Sequence, residues 1–164
     1  MKLTTERLEL IALNLRQLRL WTEDLPQLEQ ELDCRYQAEP MKGIFLEIVK
    51  GQLVATEADP NHYPWHSFWL MIRKTDRIVL GSADFKDVPD ENGISELGYG
   101  IGPAFEHRGY TTEAARALCA WALAQPGVKH LSAETDLDGS ASQRILQRLG
   151  FQEIQRAETV WWHL

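Results

Sequence analysis

Residues 94–114 have the sequence ISELGYGIGPAFEHRGYTTEA, and this segment decides the predicted fold. Its first eight residues predict a strand in which Leu97, Tyr99 and Ile101 point to one side. Glu96 and two glycines point to the other side, where the missing side chains leave an open strip along the backbone. Such a strip suits a ligand that approaches the main chain, and Glu96 lies at its end.

The residues after this strand predict a loop that enters a helix. The loop His107–Thr112 contains Gly109, and we expect the helix to start near Thr112. The first amides of a helix have no partner within it, so they are available to an anion. Arg108 adds a positive charge, and Thr111 adds a hydroxyl group. The pattern is neither a P-loop nor a dinucleotide fingerprint, and a turn of this kind without a ligand is also common.

Outside this segment, the hydrophobic periodicity predicts mainly helices in the first part of the chain and strands in the second. The predicted strands are 3–10, 68–72, 78–85, 94–101, 130–135 and 159–164. The predicted helices are about 13–21, a second from an N-cap at Asp24, 43–57, 112 to a stop at Pro126, and 140–149. With a loop over 59–64, the pattern predicts a single α/β (α+β) domain, residues 1–164, around one sheet.

The composition narrows the function classes. The 164 residues carry a net charge of −7, which argues against a nucleic acid as the main partner and slightly favours a cationic substrate. No apolar run is long enough to span a bilayer, and the N-terminus has no signal-peptide pattern, so we expect a cytoplasmic protein without a membrane partner. Cys34 and Cys119 are expected to be reduced. No Cys/His spacing fits a metal, so no metal site is predicted.

Three motifs, in this order along the chain, resemble the GNAT superfamily of N-acetyltransferases. Thr5–Leu8 is similar to the opening strand of its Rim-type branch, which acetylates the N-termini of ribosomal proteins. Glu96–Ile101 followed by Tyr110–Ala114 resembles motif A of the superfamily. Ala141–Phe151 resembles the Ala-Ser-x-x-Val-Leu-x-Lys-x-Gly-Phe segment of the Rim-type branch. The resemblance implies a central mixed sheet, mostly antiparallel, with helices on both faces.

The resemblance also implies acetyl-coenzyme A as the cosubstrate. The pyrophosphate loop of the family falls on residues 106–111, and the residues expected to bind the cofactor there are His107, Arg108, Gly109, Tyr110, Thr111 and Thr112. Tyr99, Gly100 and Ile101 match the strand that pairs with the pantetheine arm. Three positions depart from the family pattern: Glu106, Thr111 and Gly139.

Direct transfer of an acetyl group to an amine needs a base and an acid. The resemblance assigns the base to Glu96 and the acid, together with a cofactor contact, to Ser142. The alternatives are a solvated strand carboxylate and a hydroxyl group with a local hydrogen bond. Asp84 is a second candidate base. Trp65 is a candidate for the acceptor pocket, although aromatic residues often fill a core instead.

Two functions therefore stay open at the level of the sequence. The first is an N-acetyltransferase acting on a primary amine, carried by a small molecule or by a peptide N-terminus. The second is a non-catalytic, regulatory domain that binds acyl-coenzyme A, which the departures from the family pattern suggest. The oligomeric state is also open, with a homodimer among the alternatives.

Overall fold

The computed structural model describes residues 1–164, and one nine-stranded sheet runs through it. The strands are β1 (Lys2–Thr4), β2 (Leu8–Ala12), β3 (Arg35–Tyr36), β4 (Phe68–Arg73), β5 (Ile78–Phe85), β6 (Ile94–Ile101), β7 (His130–Asp136), β8 (Gln152–Arg156) and β9 (Thr159–His163). The α-helices are α1 (Leu15–Glu23), α2 (Leu25–Leu32), α3 (Gly43–Ala58), α4 (Tyr63–His66), α5 (Tyr110–Leu123) and α6 (Ser140–Leu149). Two short 3₁₀ turns lie at Pro60–His62 and Pro103–Phe105.

The sheet is mixed and mostly antiparallel. Its strand order is β1-β2-β4-β5-β6-β7-β9-β8, with β3 beside β5. Only the pairs β3–β5 and β6–β7 are parallel. Helices α1, α2 and α3 cover one face of the sheet with one hydrophobic core, and α5 and α6 cover the other face with a second core. The predicted fold class is therefore confirmed. No helix combines the length and the apolar composition needed to cross a bilayer.

Strand β4 shows how the sequence pattern produces this two-sided packing. Phe68, Leu70 and Ile72 are buried in the core beneath α1–α3, whereas Trp69 and Met71 are buried in the core beneath α5. A strand covered on both faces has no polar side to present, so a continuous apolar run is the expected sequence. The prediction for residues 68–72 is confirmed.

Local capping signals fix several helix ends. The carboxylate of Asp24 accepts a hydrogen bond from the Gln27 N–H (3.3 Å), which makes Asp24 the N-cap of α2 as predicted. Helix α6 ends at Leu149, where Gly150 adopts the left-handed conformation (φ +95°) that closes many helices.

The structure corrects three of the predicted elements. Residues 3–10 form two strands rather than one, because the Thr5 side chain bonds to the main chain of Leu8 and turns the chain into a hairpin. Helix α5 begins at Tyr110, two residues before the predicted start. The predicted loop 59–64 contains a 3₁₀ turn and the start of α4, since prolines are favoured at the first positions of helices. Strands β3 and β8 were not predicted.

Candidate active site

The sheet opens beside strand β6. The first part of β6, Ile94–Glu96, pairs with β7, and the second part, Leu97–Ile101, pairs only with β5. The Lys86 N–H donates to the Glu96 carbonyl (2.9 Å), and the Gly102 N–H donates to the Leu80 carbonyl (2.8 Å). Bonding residues alternate along an antiparallel ladder. The main-chain groups of Tyr99 and Ile101 therefore point away from β5, into the gap that an extended ligand can fill.

The loop beyond this gap has the main-chain conformation of an anion site. His107 and Gly109 both adopt left-handed conformations, with φ angles of +62° and +80°. Successive amides in such turns converge on one point and bind anions. Gly109 is also the N-cap of α5, and no side chain caps the first turn of that helix. The free amides at the start of α5 therefore face the same region as the loop. This glycine also explains why α5 starts at Tyr110.

A cavity of about 480 Å³ lies between this loop and helix α6. It is lined by Ile101, Phe105, Glu106, His107, Arg108, Gly109, Tyr110, Thr111, Thr112, Ala141, Arg144, Ile145 and Arg148. All six predicted cofactor residues of the loop lie here, together with Ile101 from β6. Three arginines against one carboxylate make this cavity, called the cationic cavity below, suitable for a polyanion such as a diphosphate.

Arg144 and Arg148 of the cationic cavity were not predicted from the sequence. They are four residues apart on α6, so they lie on the same face of that helix. The spacing alone is common in solvated helices. The spacing of the two arginines becomes informative only because α6 packs beside the loop in the folded protein, which the sequence alone does not reveal.

A second cavity, of about 400 Å³, lies along the other part of β6. It is lined by Glu39, Ile44, Phe45, Ile48, Phe68, Ser82, Asp84, Lys86, Glu96, Leu97, Gly98, Tyr99, Gly100, Ala133, Glu134 and Ser142. Four carboxylates against one lysine make it acidic, and it is called the acidic cavity below. Strand β6 joins the two cavities, since Ile101 lines the cationic cavity and the four preceding residues line the acidic one.

Two predicted catalytic residues and the second candidate base all lie in the acidic cavity. Burial raises the pKa of Glu96 above its usual value; Lys86 opposes this rise, while Glu134 and Asp84 add to it. A raised pKa makes a carboxylate a stronger proton acceptor near neutral pH. Burial also raises the pKa of Asp84, against the attraction of Lys86, whose Nζ is 3.2 Å from Asp84 Oδ2.

Ser142 is joined to Tyr99 by a hydrogen bond between their hydroxyl groups (2.8 Å). Burial raises the pKa of Tyr99, although the hydrogen bond with Ser142 opposes the rise. Tyr99 therefore keeps its proton at neutral pH, and the pair can pass a proton to a group beside Ser142. The sequence predicted Tyr99 only as part of the pantetheine strand, because a contact between residues 43 positions apart has no local signal.

Trp65 does not reach either cavity. Its side chain is buried in the core beneath α5, with ring centroids 5.0 Å from Phe85 and 4.9 Å from Trp121. The apolar wall of the acidic cavity is formed by α3, through Ile44 and Ile48.

A network of hydrogen bonds ties the N-terminal hairpin to the start of α5. The Glu113 carboxylate accepts from the Thr5 hydroxyl (2.6 Å), from the Arg7 N–H (2.7 Å) and from Arg7 Nε (2.7 Å). The Arg7 guanidinium then lies over the Tyr110 ring, 4.2 Å from its centroid, and donates to the Arg108 carbonyl (3.0 Å). Because two of these residues belong to the cationic cavity, the network holds the anion loop against the sheet.

The three departures from the family pattern leave the cavities open. Thr111 is buried at the start of α5, and the Glu106 carboxylate lies 4.0 Å from His107 Nε2 at the half-exposed rim. Gly139 is the N-cap of α6 and makes no side-chain cap. Cys119 is buried in α5, where burial raises the pKa of its thiol to about 12, so it is no nucleophile at neutral pH. No group of His, Cys, Asp and Glu side chains is arranged to hold a metal ion.

Comparison with known proteins identifies the family of the chain. In sequence, the chain is 35% identical over 83 residues to the uncharacterized N-acetyltransferase YjdG of Bacillus subtilis (strain 168), a match that covers 51% of this chain and 49% of YjdG. The matched segment thus spans about half of that relative.

Two solved structures share the fold over nearly the whole chain. A putative GNAT-family acetyltransferase from Bordetella pertussis has a TM-score of 0.71 at 20% identity, covering 99% of this chain and 98% of that one. The ribosomal L7/L12 α-N-protein acetyltransferase RimL in complex with coenzyme A has a TM-score of 0.70 at 13% identity, covering 100% of this chain and 97% of that one. Residues 13–152 match the family described as the acetyltransferase (GNAT) domain. The chain therefore belongs to the GNAT acetyltransferase family, whose members are acyltransferases.

Proposed function

We propose that the protein is an N-acetyltransferase that moves the acetyl group of acetyl-coenzyme A directly onto a primary amine, with Glu96 as the base and Ser142 as the acid. The observation that carries this proposal is the course of β6, which connects a cationic cavity with an acidic one. A polyanionic cofactor and a cationic amine can then meet at one strand, beside a carboxylate and a pair of hydroxyl groups.

The cationic cavity suits the diphosphate of coenzyme A. Amides of the loop and of the α5 N-terminus would bind the phosphate oxygens, and Arg108 and Arg144 would supply charge. The free main-chain groups of Tyr99 and Ile101 would pair with the amides of the pantetheine arm. This arrangement directs the thioester towards the acidic cavity, near Ser142. Acetyl-coenzyme A supplies an activated acyl group there.

Glu96 would take a proton from the ammonium group of the acceptor, directly or through a water molecule. The freed lone pair forms the new C–N bond to the acyl carbon, while the C–S bond breaks and its electrons pass to sulfur. The nitrogen then gives up its second proton to solvent, which leaves a neutral amide. Ser142 would donate its proton to the departing thiolate and receive the proton of Tyr99, and Tyr99 would regain a proton from solvent. Proton transfers by positioned groups of this kind typically contribute about 10²–10⁴ to a rate.

The acceptor of a Rim-type enzyme would be a peptide N-terminus. RimL is a ribosomal L7/L12 α-N-protein acetyltransferase. At 13% identity the likeness to RimL shows the fold alone, so a peptide and a small amine are both tested as acceptors.

The experiment for this proposal measures thiol release from acetyl-coenzyme A together with the mass of the acetylated product. A panel of peptides and small amines serves as acceptors. Thiol release that depends on an acceptor, with a mass gain of one acetyl group, supports the proposal. Binding of coenzyme A without turnover on any amine would instead show the non-catalytic domain that the sequence left open.

A second measurement tests the cationic cavity by calorimetry. We expect Arg108→Ala combined with Arg144→Ala to weaken coenzyme A binding by about 10²-fold, since two charge-assisted contacts are lost. The matched control is Arg116→Ala, which removes an exposed arginine of α5 outside the cavity. An unchanged affinity in the double variant would remove the cofactor assignment.

A further inference from the structure

We infer that the acceptor is a short alkyl diamine or polyamine, a molecule with a second cationic group a few methylenes from the reacting amine. This inference rests on the proposed function and specifies its substrate class. It is carried by the position of the carboxylates in the acidic cavity, by one buried carboxylate oxygen without a hydrogen bond, and by the apolar wall opposite.

The carboxylates follow the glycine strip of β6. A Cβ placed on Gly98 would lie 2.7 Å from Asp84 Oδ1, and one placed on Gly100 would lie 3.7 Å from Glu39 Oε2. Glu96 precedes them on the same face of the strand. Residues two apart in a strand are separated by about 6.5–7 Å. The strip thus presents negative charges at intervals that match ammonium groups on a short alkyl chain.

Asp84 is the buried member of this set. Its side chain is only 3% exposed, and its Oδ1 atom accepts a hydrogen bond from Lys86 Nζ (3.4 Å), whereas its Oδ2 atom accepts none. Lys86 Nζ, 3.2 Å away, gives it a charged neighbour, but this single lysine faces four carboxylates in the cavity. Buried carboxylate oxygens are normally hydrogen-bonded. A second ammonium group of the acceptor, bound on the glycine strip between Asp84 and Glu39, would supply the missing positive charge.

The opposite wall of the cavity is apolar and unusually exposed. Ile44 of α3 is 81% exposed and Ile48 is 42% exposed, and both line the cavity beside Phe45 and Phe68. Exposed large apolar side chains at the mouth of a cavity mark a binding surface. Methylene groups between two ammonium groups would lie against this wall.

A peptide acceptor fits the same cavity less well. Its carbonyl groups need hydrogen-bond donors when they are removed from water. Apart from Lys86, the side-chain donors of the cavity are hydroxyl groups, and those of Tyr99 and Ser142 already bond to each other. A chain with ammonium groups and methylenes needs no donors. The net charge of −7 would also attract a dication more strongly than a monocation.

The test compares butane-1,4-diamine with butan-1-amine and with a short peptide bearing a free N-terminus, using the full chain and acetyl-coenzyme A. We expect kcat/KM for the diamine to exceed that for the monoamine at least about tenfold, the effect of one additional charge-assisted contact. In Glu39→Gln this ratio should fall about tenfold. Glu39 is exposed, so its replacement leaves the fold intact. Glu47→Gln on the solvent face of α3 makes the same change of charge and should keep the ratio.

Each outcome of this comparison has a meaning. Equal rates for diamine and monoamine, or acetylation of the peptide alone, would overturn the diamine class and leave the N-acetyltransferase proposal standing. A ratio that falls equally in both glutamate variants would show attraction by net charge and would also overturn it. Absence of thiol release with every acceptor, despite coenzyme A binding, would overturn the proposed function itself.

Discussion

Replacing Glu113 by glutamine should loosen the anion loop while keeping the shape of its support. In the wild type, Glu113 Oε1 accepts from the Thr5 hydroxyl and the Arg7 N–H, and Oε2 accepts from Arg7 Nε. A glutamine can keep the first two bonds through its carbonyl oxygen. Its NH₂ group then faces the Arg7 Nε–H, donor against donor, so the guanidinium loses its carboxylate partner.

The size of the effect follows from the burial of this ion pair. A hydrogen bond to a charged group contributes about 1.5–3 kcal/mol when buried, and an exposed pair about 0.2–1 kcal/mol. The side chain of Glu113 is 18% exposed and that of Arg7 is 40% exposed, which places the pair between these limits. We therefore expect Glu113→Gln to lower the free energy of unfolding by about 1–2 kcal/mol. Coenzyme A affinity should fall about tenfold, since Arg7 no longer fixes Arg108 and Tyr110.

The assay combines urea unfolding, followed by tryptophan fluorescence, with calorimetric binding of coenzyme A. The matched control is Glu9→Gln, which removes the negative charge from another short pair, Arg77 Nη1–Glu9 Oε1 (2.6 Å), at a carboxylate that is 20% exposed and lies outside both cavities. This control should lose stability but keep its affinity for coenzyme A. If Glu113→Gln also kept that affinity, the network would stabilise the fold without positioning the loop.

The pH dependence provides an independent check of the same network. Burial tends to raise the pKa of Glu113, but the hydrogen bonds from Thr5 and Arg7 outweigh it and hold the pKa below its usual value. The stabilisation is therefore complete above the unfolded pKa of about 4.3 and is lost as the pH falls through the lower folded value. The stability difference between wild type and Glu113→Gln should shrink below about pH 4. A difference independent of pH would refute this assignment.

Three further predictions concern catalysis and the sheet. Glu96→Gln should lower kcat by about 10²-fold or more and leave the affinity for coenzyme A unchanged. The rate of the wild type should rise as the pH passes the raised pKa of Glu96, and this rise should be absent in the variant. Wild-type turnover across the pH range would exclude Glu96 as the base. Tyr99→Phe and Ser142→Ala should each lower kcat by about tenfold or more. If the two hydroxyl groups act as one relay, kcat of the double variant should be only slightly lower than that of either single variant. If the two losses in kcat multiply instead, the hydroxyl groups act independently. Gly81→Ala should lower the free energy of unfolding by about 1–3 kcal/mol, because the added Cβ would lie 2.4 Å from the Gly100 carbonyl oxygen. Gly51→Ala, at a position of α3 with open space around it, should raise the free energy of unfolding by about 0.5–1 kcal/mol. Equal urea midpoints for the two variants would contradict this prediction.

The sequence predicted those features that depend on local pattern or on capping. The apolar run of β4 and the N-cap Asp24 have their signals within a few residues, and both predictions hold. Strand β8 escaped prediction because all five of its residues, Gln152–Arg156, are exposed at the edge of the sheet. An edge strand without a buried face lacks the alternation that identifies a strand.

The same distinction applies to the site. Residues of the anion loop were predicted because they are contiguous, and Glu96 because it lies beside them in the strand. The arginines of α6 and the Glu113 network were missed, since their partners are about 30 to 100 positions away in the sequence. Trp65 was assigned to the acceptor pocket on residue type alone, and the packing of its ring against Phe85 and Trp121 decided otherwise.

The separation of charge along β6 explains how an acidic chain can hold two ligands of opposite sign. Glu96 and Ile101 are five residues apart, which corresponds to about 17 Å at a rise of about 3.3 Å per residue. This distance exceeds the Debye length of about 8 Å at physiological ionic strength. Solvent ions therefore screen Glu96 from a diphosphate bound beyond Ile101. A change of charge at Glu96 should then alter the affinity for the amine and leave that for coenzyme A nearly unchanged, so the base and the diphosphate site are independent in binding and are linked only through the thioester.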